Sequence, residues 1–281
     1  MKIILNHVSY EYNIGSPDHT KALDDVNLVV NEGDFIGIAG HTGAGKSTLI
    51  RLFNGLLKPT SGNVYFEGED IFEKGYDRKK LRSKVGLVFQ YPEHQLFAET
   101  VFADVCFGPK NIGFDRKAAE LSAYEALKMV GMPDECFYQS PFDMSGGMMR
   151  RAALAGVIAM KPEVLVLDEP TAGLDPGAQK SILDIIKKLH DEKNTTIILI
   201  SHNMDDIAEY ADRMIVMDKG RKLLDDTPEN VFKETEILSG CRLDIPQINY
   251  LCRVLKAKGV DIDENIIKYE DAEKALLNIL K

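Results

Sequence analysis

The sequence predicts an α/β fold around a buried, mostly parallel sheet, and three observations support it. Four short runs, DFIGIAG (34–40), KVGLVFQ (84–90), EVLVLDEP (163–170) and TTIILISH (195–202), are almost wholly apolar. Runs of that length and uniformity suit strands covered by helices on both faces. Segments with a helical apolar stripe lie between them. In GAQKSILDIIKKLH, Ile182, Ile185, Ile186 and Leu189 recur at i, i+3, i+4 and i+7. Third, a glycine-rich loop, GHTGAGKST (40–48), leads from the first run straight into the helical segment TLIRLFNGLL.

The other elements follow in order. ILNHVSYEY (4–12) and GNVYFEGEDI (62–71) alternate or carry β-branched and aromatic residues, as partly exposed antiparallel strands do. RKAAELSAYEALKMVG (116–131) is amphipathic, with Gly131 a C-terminal stop. The stretch from about Thr100 to Met160 is mostly helical and is expected to form a separate lobe. After MIVMDKGRKLLDD (214–226) the pattern changes. Pro228 starts a helix in TPENVF, and PQINYLCRVLKAKG and EDAEKALLNILK read as further short helices. The expected division is therefore a main domain over 1–226 and a small appendage over 227–281.

Bulk properties exclude some classes. A formal net charge of −10 argues against non-specific nucleic-acid binding, which needs a basic face. The longest apolar run, Ala152–Met160, falls well short of the roughly 18–20 residues a membrane span needs. MKIILNHVSY lacks the apolar core and cleavage site of a signal peptide. Cys106, Cys136, Cys241 and Cys252 form no C-x-x-C pair and are expected to be reduced, buried thiols.

The chemistry concentrates at the ends of the apolar runs. Gly40, His41, Thr42, Gly43, Ala44, Gly45, Lys46, Ser47 and Thr48 fit G-x-x-x-x-G-K-[ST], placed between strand and helix as a phosphate loop requires. Its glycines let backbone N–H groups curl around phosphates. Lys46 would reach the β- and γ-phosphates of ATP, and Ser47 would ligate Mg²⁺. In VLVLDEP, Asp168 is placed to hold the metal and Glu169 to polarise the attacking water, a role worth roughly 10²–10⁴ in rate. Gln90 ends another run and offers an uncharged oxygen to metal or water. His202 ends TTIILISH and could donate to the γ-phosphate. A second anion cradle, Ser145, Gly146 and Gly147, opens the helix RRAALAGVIAM.

Together these motifs resemble the ATP-binding-cassette ATPases, and the resemblance runs from about Lys2 to Asp226. The Walker A loop is Gly40–Thr48, the Q-loop glutamine is Gln90, and the signature is MSGGM, Met144–Met148. Val164–Glu169 matches the Walker B strand, TAGLD (171–175) the D-loop, and His202 the switch histidine. The resemblance implies a P-loop NTPase fold with a RecA-like mixed-sheet core, an antiparallel β subdomain and a helical subdomain. It also implies that an aromatic near the N-terminus stacks on adenine; Tyr12 matches, with Tyr10 the rival. Cassettes of this kind work as head-to-tail pairs, so Ser145, Gly146 and Gly147 are expected to grip the partner's ATP. The signature departs from the family at its fifth position, where Met148 stands in place of the common Gln.

Two further segments resemble the ATPases of energy-coupling-factor vitamin and metal transporters, and in particular the second of their two ATPase chains. QYPEHQLFAETVFADVCFGPKN (90–111) is close to their Q-P-x-x-Q-L-F pattern, and SGGMMRRAALAGVIAM precedes an appendage beyond Asp226. The resemblance implies a second ATPase subunit (identical or related), a transmembrane coupling subunit and a substrate-binding membrane subunit. It places the chain, as a peripheral protein, on the cytoplasmic face of the cell membrane. Gln90–Asn111 mixes the acids Glu93, Glu99 and Asp104 with apolar residues, as a groove for a basic amphipathic helix end would. The alternatives are another ABC importer or an exporter, a DNA-repair ATPase and a translation ATPase. The last two are disfavoured by the lack of sustained heptads between Lys46 and Ser145 and by the single cassette.

Overall fold

The computed structural model describes residues 2–280; Met1 and Lys281, the latter ending the last expected helix, lie outside the described residues. The chain opens with β1 (Ile3–Tyr12), β2 (Thr20–Val30), β3 (Phe35–Ala39), α1 (Lys46–Phe53), β4 (Ser61–Phe66) and β5 (Glu69–Asp70). Next come α2 (Arg78–Lys84), β6 (Val85–Val88), α3 (Val101–Ile112), α4 (Arg116–Met129) and α5 (Gly146–Ile158). They lead to β7 (Val164–Asp168), α6 (Pro176–Lys193), β8 (Thr196–Ile200), α7 (Met204–Tyr210), β9 (Arg213–Asp218) and β10 (Arg221–Asp226). Short helices α8 (Pro228–Val231), α9 (Thr235–Gly240), α10 (Gln247–Ala257) and α11 (Tyr269–Ile279) complete it.

The six-stranded sheet has the order β10-β9-β3-β8-β7-β6. Its strands are parallel from β9 to β6, and β10 adds an antiparallel edge. The four apolar runs are the adjacent parallel strands β3, β8, β7 and β6, and two-sided burial explains their uniformity. Val164 and Val166 face one core with Ile36, Ile38 and α1, beneath the antiparallel sheet. Leu165 and Leu167 face the other, with α6, α7 and the helical lobe. Both faces are covered, so every position along the strand is apolar.

The second sheet, β2-β1-β4-β5, is antiparallel throughout. One detail differs from expectation, and one strand has no counterpart in the sequence reading. GNVYFEGEDI is a hairpin rather than one strand, because Glu67 and Gly68 both take positive φ, 52° and 87°. β2 carries no clean period of two: Asp25 sits at φ 53° in a bulge between Leu23 and Val26, which breaks the alternation that marks a strand.

Helices α3, α4 and α5 form the helical lobe, each opened by a side-chain cap. Thr100 accepts from Ala103 N–H, Asp115 from Ala118 N–H and Ser145 from Met148 N–H. Beyond β10, Val231, Phe232 and Leu238 still pack into the core beside α6 and α7. Ile248, Cys252, Ile262 and Ala272 make a small core of their own. Among the described residues no helix is long and apolar enough to cross a membrane. The four cysteines are free and buried.

Candidate active site

The carboxyl ends of three adjacent parallel strands converge. Gln90 follows β6, Glu169 follows β7 and His202 follows β8, which are neighbours in the sheet. In open parallel sheets this edge is where loops can face a ligand together. Gln90 Nε2 donates to Glu169 Oε2 at 3.0 Å, and His202 Nε2 lies 2.8 Å from Glu169 Oε1. Both oxygens of the carboxylate are therefore engaged. Glu169 has φ 49°, a left-handed backbone that costs a non-glycine residue about 1–3 kcal/mol. Its N–H donates to Ile200 O at 3.1 Å, which fixes the turn.

The phosphate loop joins β3 to α1. Gly45 has φ 99°, and a Cβ there would lie 2.5 Å from Ala22 O, so β2 backs the loop closely enough to require glycine. Lys46 is buried and donates to Gly40 O at 2.5 Å and His41 O at 3.1 Å. Burial pushes its pKa below the ordinary lysine value, against the attraction of Glu169 and Asp168. Asp168 is buried at the end of β7, and burial raises its carboxyl pKa although the neighbouring Ser47 hydroxyl favours the charged form.

A cleft of ≈ 600 Å³ is lined by Tyr12, Thr42, Gly43, Gly45, Lys46, Ser47, Thr48, Gln90, Glu169 and His202. Gly40, His41 and Ala44 shape the loop instead. The Gly40 carbonyl holds Lys46, His41 Nε2 lies 2.7 Å from Asp218 Oδ1, and Ala44 packs in the core under the loop. Tyr12 and Tyr10 separate clearly: the Tyr12 hydroxyl lies 3.1 Å from Thr48 Oγ1, while Tyr10 packs against the core between the sheets. Thr20, Lys21 and Ala22 also line the cleft. They lie on β2, whose bulge breaks the alternation that marks a strand, and no sequence motif singles them out.

Ser145, Gly146 and Gly147 lie outside this cleft. Ser145 and Gly146 are exposed, and a Cβ on either glycine would meet nothing within 4 Å. Met148 is half-buried and packs on the core, so its apolar side chain is accommodated in place of an amide.

The strip expected to form a groove is corrected in part. Glu93 and Asp104 are not free surface acids: Glu93 pairs with the buried Arg150, and Asp104 accepts from the N–H groups of Phe97 and Ala98, both at 2.8 Å. Leu96 and Val101 belong to the core. The strip still exposes Glu99 and Tyr91, beside an edge-to-face pair, Phe97 and Phe107, 60% and 47% exposed with ring centroids 4.8 Å apart.

Comparison with known proteins agrees with this geometry. Residues 23–172 match the family described as "ABC transporter". The energy-coupling factor transporter ATP-binding protein EcfA2 of Caldanaerobacter subterraneus subsp. tengcongensis is 48% identical over 281 residues, 100% of this chain and 98% of that protein. The protein of the same name from Clostridium tetani is 50% identical, covering 99% and 97%. Among solved structures, cbiO1 of Clostridium perfringens, part of the ABC transporter complex cbiONQ, superposes with TM-score 0.75 at 36% identity, covering 89% of this chain and 97% of that one. The cassette MJ0796, solved as a post-hydrolysis dimer with ADP and Pi, gives TM-score 0.72 at 28% identity, covering 80% and 98%. The chain thus belongs to the ABC transporter ATPases, and among them to the ATP-binding proteins of energy-coupling factor transporters.

Proposed function

We propose that the chain binds Mg·ATP over its phosphate loop and hydrolyses it when paired with a second cassette. In doing so it powers an importer of vitamins or transition metals from the cytoplasmic face of the membrane. The observation that carries this reading is the Glu169 carboxylate, gripped by Gln90 and His202 within electrostatic reach of Lys46.

Lys46 donates to two loop carbonyls, and the phosphate oxygens of ATP would take those bonds over. A partly desolvated ammonium with only neutral acceptors gains most from an anionic ligand. The Tyr12 ring, at the edge of the cleft, stacks on the adenine. The donor set fits Mg²⁺: the Ser47 hydroxyl beside Asp168, with the Gln90 amide at the same cleft, supplies hard oxygens and few charges. When bound, the ion would neutralise charge developing on the β- and γ-phosphate oxygens.

Glu169 takes the proton of the attacking water as that oxygen bonds to the γ-phosphorus. The bond to the bridging oxygen breaks, leaving ADP and phosphate. Each carboxylate oxygen keeps a second lone pair, so Glu169 can accept the water's proton while Gln90 and His202 hold its orientation.

Ser145 and the Gly146 and Gly147 amides, facing outward, grip the γ-phosphate of the partner cassette's ATP. Each such charge-assisted bond contributes about 1.5–3 kcal/mol. The exposed Phe97–Phe107 pair, within the Gln90–Asn111 strip, receives an apolar helix end of a transmembrane coupling subunit, to which a substrate-binding membrane subunit is joined. The appendage over 227–281 supports the pairing of the two cassettes.

The test is Glu169→Gln in the assembled complex. It should bind ATP, hold the two cassettes together and turn over at about 1% of the wild-type rate or less. Wild-type turnover would remove Glu169 from the role given to it. Native mass spectrometry of the purified complex should show two cassettes with membrane subunits; a soluble pair alone would contradict the transport reading.

A further inference from the structure

Arg150, just past the first turn of α5, is 2% exposed and binds two separate segments outside its own helix. Its Nε and one terminal nitrogen grip the two Glu93 oxygens at 2.9 Å and 2.5 Å. The other terminal nitrogen donates to Pro170 O at 3.1 Å and Ala172 O at 2.6 Å. The Tyr91 ring centroid lies 5.6 Å from the guanidinium carbon. Glu93 belongs to the 3₁₀ turn Pro92–Gln95 that follows Gln90, and Pro170 and Ala172 belong to the turn that follows Glu169.

We propose that Arg150 is a positioning residue that ties the segment after Gln90 and the turn after Glu169 to the signature helix α5. Ser145, presented to the partner's nucleotide, and Glu169, acting on this chain's own, are thereby linked. A shift imposed on the segment after Gln90 reaches both. The guanidinium is the side chain that can do this: its planar fork holds a carboxylate bidentately and still has donors for two carbonyls. A lysine at this place has one point of charge and cannot hold the carboxylate and both carbonyls at once. The inference rests on the roles given above to Ser145 and Glu169, and goes beyond them by making the two interdependent.

The test uses the assembled complex carrying Arg150→Lys, with Glu169→Gln beside it. The Lys variant should lose about tenfold or more in kcat while KM for ATP stays within about twofold, because binding on the phosphate loop is untouched. Hydrogen exchange should speed up together at the His94 and Leu96 amides and at the Ala172 and Leu174 amides, which close the two turns. Wild-type kcat, or faster exchange confined to α5, would overturn the proposal. If Arg150→Lys does not fold, Glu93→Gln decides, since it leaves the arginine and both carbonyl bonds in place. A fall in kcat of about threefold or more supports the link, and unchanged kcat overturns it. An active Glu169→Gln complex would instead overturn the reading on which the link rests.

Discussion

His202 and Gln90 hold the same carboxylate from its two ends: His202 Nε2 is 2.8 Å from Glu169 Oε1, and Gln90 Nε2 is 3.0 Å from Oε2. Removing either side chain frees one oxygen but also removes a group that orients the carboxylate. His202→Ala in the complex is expected to lower kcat by about 10²-fold or more, with ATP binding to the isolated chain kept. Steady-state turnover and equilibrium nucleotide titration, made on the same preparation, check it.

Lys46 should show an opposition between stability and function. Its charge is buried with no carboxylate in hydrogen-bond contact, and burial depresses its pKa. A cation with a depressed pKa destabilises the fold at neutral pH. Lys46→Met is therefore expected to raise the nucleotide-free stability, on the order of 1 kcal/mol, while ATP no longer raises Tm. Thermal scans with and without Mg·ATP read both effects.

Ser145 has two duties that a single substitution can separate. As the cap of α5 it accepts from Met148 N–H at 3.4 Å, and Ser145→Ala would forfeit that bond, about 1 kcal/mol. Ser145→Asp keeps an N-cap acceptor and adds a favourable charge at the helix start. It should leave Tm unchanged or higher, yet set an anion against the partner's γ-phosphate. Turnover of the complex should fall about tenfold or more while this chain's own ATP affinity is retained.

Asp206, four residues beyond His202, sets a pH signature. Its oxygens accept from Asn203 Nδ2 at 3.0 Å and from the Ser201 hydroxyl at 3.4 Å, and burial raises its pKa to about 6. Between the unfolded value of about 4 and the folded value, the native state holds the proton that the unfolded state has lost. This carboxyl therefore makes the fold less stable as pH rises through that window. Asp206→Asn should be increasingly stabilising relative to wild type from about pH 4 to about pH 6, then level off. Denaturant midpoints at five or six pH values would show the slope.

The Gln90–Asn111 strip is expected to respond at its exposed aromatics rather than at Glu93 and Asp104. Phe97→Asp should leave Tm nearly unchanged, because the ring is exposed, but release the chain from its transmembrane partner on purification. Glu93→Lys should fail differently, by unfolding: it leaves no acceptor on that side of the buried Arg150 and sets a second cation against it, a cost of about 3–5 kcal/mol.

The sheet core and the cluster at its strand ends are legible in the sequence because few folds accommodate uniform apolar runs with a glycine loop between strand and helix. Gln90, Glu169 and His202 stand at run ends, and the parallel order of β6, β7 and β8 brings them together. Local chemistry misleads where pairing overrides it. β2 shows no alternating pattern because Asp25 sits in a bulge, and Glu93 looks like a surface acid but is matched to an arginine far along the chain. Spacing within a segment carries no information about such partners. Nor does it separate Tyr12 from Tyr10, one of which reaches the cleft and the other the core.

The six-stranded sheet divides the molecule's labour. The loop that grips nucleotide is rooted in the layer under the antiparallel sheet, whereas α5 and the segments that carry Phe97 and Phe107 pack in the opposite layer. Drift in the outer layer can therefore retune which neighbours the engine is coupled to without disturbing how it takes up fuel. One ancestral motor core could in this way be fitted to many different machines.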